Sequence, residues 1–80
     1  MSSLRLRCKI PHGPRHQQRI DAVEGAAARI RNSRSCFVRV VPTEGGVFCD
    51  LYLHGTDPPG PGEMFVLRTT GETFTRQVVP

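Results

Sequence analysis

Residues 36–54 read CFVRVVPTEGGVFCDLYLH, and they predict two strands joined by a tight turn. The run TEGG separates the strands, and Gly45 and Gly46 can adopt the positive φ that a short hairpin turn requires. Apolar residues alternate along both strands, so we expect them to face inward onto a helix. The two inward-facing sets are Cys36, Val38 and Val40 on the first strand and Val47, Cys49, Leu51 and Leu53 on the second.

The segment upstream of this hairpin, residues 17–33, allows two interpretations. In the first it is one helix, with its apolar positions Ile20, Val23, Ala27 and Ile30 on one side. In the second, the run QQRID pairs as a further strand and a shorter helix begins near Val23. The run AAARIR favours helix by propensity in both interpretations.

Residues 4–10, LRLRCKI, alternate with a period of two and predict a half-buried strand. Its inward side chains are apolar, and its outward side chains are Arg5, Arg7 and Lys9. The following run PHGPRH ends the strand, because Pro11 and Pro14 cannot donate to a ladder of hydrogen bonds.

The C-terminal part contains a proline- and glycine-rich loop, residues 55–63, followed by MFVLRTTGETFTRQVV, which predicts a second hairpin turning at TTGE. The predicted fold class is therefore α+β, with one helix packed on a mostly antiparallel sheet. The order is β-α-β-β plus a C-terminal β-hairpin. With 80 residues we expect a single small domain, residues 1–80, with the loop inside it.

The charge of the chain is unevenly distributed. Residues 1–40 contain nine of the eleven Lys and Arg residues and two acids, whereas residues 41–80 contain two basic residues and five acids. All basic residues except Lys9 are arginine, whose planar guanidinium matches phosphate and carboxylate groups. This pattern favours an acidic partner, either nucleic acid or an acidic protein surface.

No motif for catalysis, phosphate binding or a cofactor is present, so we expect no enzyme activity and no cofactor. Cys49 and His54 are five residues apart and point to opposite faces of an ideal strand, which argues against a catalytic pair. Cys8, His12 and His16 are the best metal candidates. Their spacing lacks the paired knuckles of structural zinc sites, so we expect no metal, and a zinc-stapled mini-domain is retained only as an alternative.

A basic surface is the remaining candidate for a binding site, for a protein or for nucleic acid. Its members come from the first strand, the loop after it and the end of the helix: Arg5, Arg7, Lys9, Arg15, Arg19, Arg29, Arg31 and Arg34. The five aromatic residues fall mostly on strand positions typical of a core, so the sequence does not favour base stacking. Phe48 and Tyr52 share one strand face and would form interface aromatics if that face is uncovered.

The odd number of cysteines, three, and the absence of a hydrophobic leader predict free thiols in a reducing cytoplasm. No run is long and apolar enough for a membrane span, so we expect no membrane partner. The free strand edges of so small a sheet favour a homodimer.

Residues 20–53 resemble some small phage anti-CRISPR proteins directed against type I CRISPR surveillance complexes. The similarity consists of an Ala/Arg helix running into CF, then a strand, a short Gly turn and an aromatic-bearing strand. The resemblance implies a non-enzymatic inhibitor in the host cytoplasm that docks on the ribonucleoprotein complex and blocks or alters its engagement with target DNA. Members of that group use unrelated surfaces, so the resemblance assigns no site residue.

The sequence thus predicts a non-enzymatic inhibitor or binding protein that docks on a type I CRISPR complex through its basic surface. The alternative is a stand-alone module that binds DNA or RNA directly through arginine contacts to phosphates.

Overall fold

A computed structural model describes all residues from Met1 to Pro80 and contains four strands and two helices in the order β-α-β-β-α-β. The elements are β1 Ser3–Pro11, α1 His16–Ile30, β2 Cys36–Thr43, β3 Gly46–His54, α2 Pro61–Arg68 and β4 Thr75–Val79.

The strands form one sheet in the order β2-β3-β1-β4, and every neighbouring pair is antiparallel. This order of elements and strands is the ferredoxin-like, or split βαβ, arrangement. The predicted α+β class, with a helix packed on an antiparallel sheet, is confirmed.

The β2–β3 hairpin forms where the sequence predicts it, with Thr43 paired to Gly46 at its closed end. Of the two glycines, Gly45 has the positive φ, 78°. Gly46 has a different role, since a Cβ on it would lie 2.3 Å from the carbonyl oxygen of Ile10. The second glycine is therefore required by the close approach of β1 rather than by the turn.

Residues 16–30 form one helix, so the interpretation of 17–33 as a single helix is confirmed and the additional strand at QQRID is wrong. The helix buries the four predicted residues together with Ala26. Its apolar side packs on the inward side chains of β1 and β3, among which Ile10, Cys49, Leu51 and Leu53 are fully buried. None of the chain's helices combines the length and apolar character needed to cross a membrane.

The predicted C-terminal hairpin is wrong, because residues 61–68 form α2 and only residues 75–79 are a strand, paired with β1. Pro61 occupies the first turn, where its missing N–H has no consequence, and the Glu63 carboxylate accepts a hydrogen bond from the Gly60 N–H at 3.0 Å. Leu67 reaches the core. The proline-rich connection is accordingly shorter than predicted and spans residues 55–60.

Candidate functional site

Both helices lie on one side of the sheet, and no element covers the other side, which we call the open face. Apart from Gly46 and Asp50, every residue that points to this side is at least partly exposed. Strand pairing aligns its central side chains in three rows across the sheet. The aromatic row is Gln77, Arg5, Tyr52 and Phe37; the arginine row is Thr75, Arg7, Asp50 and Arg39; the lysine row is Lys9, Phe48 and Val41.

The aromatic row contains a stacked pair of rings. Phe37 and Tyr52 are directly opposite each other on β2 and β3, their centroids are 4.9 Å apart, and their planes differ by 9°. The Phe37 side chain is 56% exposed. On the other side of Tyr52, Arg5 donates a hydrogen bond to Gln77. The expectation that the aromatic residues mostly belong to the core is therefore wrong. Phe37 and Phe65 are more than half exposed, and Phe48 and Tyr52 lie on the open face. Only Phe74 packs against the core.

A bidentate ion pair occupies the middle of the arginine row. Arg7 donates from Nε and Nη2 to the two carboxylate oxygens of Asp50, at 2.8 and 2.9 Å. Asp50 is fully buried, and the Arg7 Cζ lies 4.3 Å from the centroid of the Phe48 ring. The hydrogen bonds to Asp50 raise the pKa of Arg7 above its ordinary value, although burial acts in the opposite direction. The guanidinium is thus held over an aromatic ring by two hydrogen bonds.

Two further cations on the open face have no partner within the chain. Lys9 and Arg39 are exposed, and neither makes a side-chain hydrogen bond or an ion pair. The central rows therefore carry four cationic side chains and a single carboxylate, which Arg7 neutralises. Charged groups and flat rings are combined on one surface.

The eight predicted basic residues do not form one surface. Arg5, Arg7 and Lys9 lie on the open face, and the other five lie on α1 or beside its ends. Two of those five are held by carboxylates: Arg19 bonds Glu72 through two nitrogens at 2.8 Å, and the Arg34 Nε lies 3.3 Å from a carboxylate oxygen of Glu63.

The remaining three, Arg15, Arg29 and Arg31, have exposed side chains. Arg31 donates from Nε to the carbonyl oxygen of Cys36 at 2.7 Å. Arg15 and Arg29 make no side-chain bond within the chain. Both lie away from the open face, so neither can act together with the cations of the three rows.

The three metal candidates do not converge. Cys8 points into the core, while the rings of His12 and His16 lie outside it with centroids 4.8 Å apart. No group of three His, Cys, Asp or Glu side chains in the chain is arranged to hold a metal ion. Burial raises the pKa of Cys8 to about 12, so this thiol is protonated at neutral pH.

Of the predicted interface aromatics, Phe48 and Tyr52 do lie together on the open face, separated by Asp50. Phe37 and Arg39 were missed. The alternation that places Cys36, Val38 and Val40 on the helix side is the signal that could have placed both on the outward side of β2. The prediction that Val40 is buried there is wrong, because the helices do not cover it and it is 41% exposed. Comparison of the chain with protein-family models, curated proteins and solved structures gives no match.

Proposed function

We propose that this chain is a non-enzymatic module that binds nucleic acid on the open face of its sheet. One observation carries the proposal: exposed aromatic rings and unpartnered cations share a face that no other part of the chain covers. Guanidinium and ammonium groups contact phosphates, and flat rings contact bases. The free buried thiols lead us to place the module in the cytoplasm.

The charge of the face supports this choice of partner. Lys9 and Arg39 have no internal carboxylate to satisfy them, so a polyanion can contact them without first breaking an ion pair. The only acid in the central rows, Asp50, is already neutralised and fully buried, so it adds little repulsion. Binding to the backbone of a nucleic acid releases counterions and is therefore strongly weakened by salt.

The test is fluorescence anisotropy with labelled single-stranded and duplex DNA and RNA over a range of salt concentrations. With three or four phosphate contacts, we expect affinity for a single strand to fall about 20- to 50-fold between roughly 50 and 200 mM salt. The variant Lys9→Gln/Arg39→Gln should bind more weakly and reduce the slope of log affinity against log salt by about 1.4.

The matched control is Arg29→Gln/Arg68→Gln, which removes the same charge from exposed positions on the two helices. It should bind as the unaltered chain does. The proposal is overturned if the two double variants bind equally, or if no nucleic acid binds at protein concentrations up to about 100 µM in low salt.

A second candidate function is the one that the resemblance to anti-CRISPR proteins implies, an inhibitor docked on a type I CRISPR ribonucleoprotein complex. The exposed Phe37, stacked on Tyr52 and flanked by arginines, favours it, because protein interfaces are enriched in aromatic residues and arginine. Binding to the purified complex by a chain that binds no bare nucleic acid, together with reduced target-DNA capture, would select this function over the first.

A further inference from the structure

We infer that the open face selects unpaired nucleotides, stacking bases on two flat platforms, and does not take a duplex. This inference rests on the proposed function and specifies its ligand. The first platform is the stacked Phe37–Tyr52 pair, and the second is the Arg7 guanidinium lying on the Phe48 ring.

The first platform is available to a ligand because Phe37 is more than half exposed. Tyr52 supports the Phe37 ring from one side, with the ring centroids 4.9 Å apart and the planes nearly parallel. An aromatic side chain of this kind offers a π-face to any base, and stacking of one base typically contributes enough to change affinity by about fivefold or more. A base within a closed duplex cannot stack on this platform, because both faces of the base are covered by neighbouring bases.

The second platform is a cation held in one orientation. The two hydrogen bonds that Arg7 donates to Asp50 fix the plane of the guanidinium, and the Phe48 ring lies beneath it, with its centroid 4.3 Å from the Arg7 Cζ. Unstacked bases in single strands pack on arginine planes as well as on aromatic rings. Asp50 is therefore a positioning residue that acts through Arg7, which explains a fully buried carboxylate on an otherwise exposed face.

The two platforms lie one after the other along β3, so a single-stranded nucleic acid that contacts both runs along this strand. Tyr52 and Phe48 are four residues apart on β3, a distance of about 13 Å. The unpartnered Arg39 lies between them on the neighbouring strand, in register with Asp50, where it can contact a phosphate of the intervening backbone. The two platforms thus provide positions for two stacked bases.

Tyr52 is the only tyrosine and the chain has no tryptophan, so its intrinsic fluorescence reports directly on the first platform. The probes are oligo-uridylate, its duplex with oligo-adenylate and single-stranded oligo-thymidylate. We expect the single strands to bind at least about tenfold more tightly than the duplex and to quench Tyr52 by stacking. The oligo-thymidylate arm reports whether the 2′-hydroxyl contributes.

The key variant is Phe37→Leu, which keeps an apolar side chain but removes the flat ring. It should lose about fivefold or more in affinity for oligo-uridylate, and Phe37→Tyr should restore it. The control is Phe65→Leu on α2, since Phe65 is 61% exposed and lies on the helix side of the molecule. Circular dichroism establishes that each variant is folded.

The outcomes separate the two proposals. Equal affinity for duplex and single strand, or equal binding by Phe37→Leu and Phe65→Leu, overturns the stacking inference while leaving phosphate binding intact. Absence of binding to all three probes removes the proposed function and the inference together.

Discussion

Asp50 fixes the position of Arg7, the arginine opposite it on β1, through an ion pair. Its carboxylate has no exposure, so its charge must be neutralised within the chain, and Arg7 alone provides an ion pair. Arg5, Arg7 and Lys9 look equivalent in the sequence because they alternate on one strand. Only the register that pairs Arg7 with Asp50 distinguishes them, and register depends on contacts between residues far apart in the chain.

Replacing Arg7 by methionine should destabilise the fold, because Asp50 would remain buried without a cation. We expect a loss of about 2–3 kcal/mol in the free energy of unfolding, less than for a fully buried pair because the Arg7 side chain is 28% exposed. Urea denaturation measures it. Lys9→Met, on the same strand and face, should change stability by no more than about 0.5 kcal/mol.

The double variant Arg7→Met/Asp50→Leu should recover most of this loss, because an apolar pair leaves no buried charge. If Arg7→Met is as stable as Lys9→Met, the ion pair contributes nothing and Asp50 has another source of stabilisation.

Glu63 connects the pH dependence of stability to the start of α2. Burial alone would raise the pKa of its carboxyl, but hydrogen bonds from the Gly60 N–H and Ser33, with the nearby Arg34 charge, lower it overall. A lowered pKa in the folded state gives stability that is present above the ordinary value of 4.5 and is lost as the pH falls through the folded value.

Glu63→Gln should therefore reduce stability by about 1 kcal/mol at neutral pH, and this difference should disappear in acid. Urea denaturation of both proteins at neutral pH and at about pH 2 measures it. Glu44→Gln, at the exposed hairpin turn, is the control and should change stability at neither pH. A difference that persists in acid would contradict the assignment to the carboxylate charge.

At the level of elements, the sequence predicted β1, the β2–β3 hairpin and the buried side of α1, because each has a clear period and a local end signal. It failed at α2. The apolar and β-branched residues of 64–70 also suit a strand. A helix of eight residues is too short for its hydrophobic periodicity to be distinguished from that of a strand. Pro61 and Glu63 at the first turn were the local signals for a helix.

Replacing Gly46 or Gly25 by alanine should change the stability of the fold in opposite directions. Gly46→Ala should destabilise by about 1–3 kcal/mol, because the new Cβ would meet the backbone of Ile10 and Pro11 at 2.3 and 2.7 Å. Gly25→Ala should stabilise by about 0.5–1 kcal/mol, since it lies within α1 and a Cβ there meets nothing within 4 Å. Thermal denaturation of both variants measures this. Equal effects would mean that the close approach of β1 and β3 can relax.

At the scale of the whole molecule, one side of the sheet forms the core and the other forms the candidate binding surface. The inner side packs on the helices and contains nearly all of the core, whereas the open face carries the candidate site. Strand alternation correctly placed Arg5, Arg7 and Lys9 outward, but the outward position of Phe37 beside Tyr52 was missed. The contact between the two rings follows from the register of the β2–β3 hairpin, and the rings are accessible because both helices pack on the opposite side of the sheet.

The three cysteines report on the integrity of this layered arrangement, because Cys8, Cys36 and Cys49 lie on β1, β2 and β3 and all face the helices. Burial raises the pKa of each thiol, to about 12 for Cys8, so the thiols are protonated at neutral pH. They are also inaccessible to reagents while the helices cover this side of the sheet. Reaction with a soluble alkylating agent therefore requires the helices to move away from this side of the sheet.

Pulsed alkylation followed by mass spectrometry should label Cys8 and Cys49 together and last. They lie directly opposite each other on the two central strands and pack against α1, so exposing either requires α1 to detach from the sheet. Cys36 should react earlier, because β2 is an edge strand with one unpaired side. In urea all three should react at one fast rate. Rapid labelling of Cys8 or Cys49 under native conditions would mean that α1 detaches from the sheet without global unfolding.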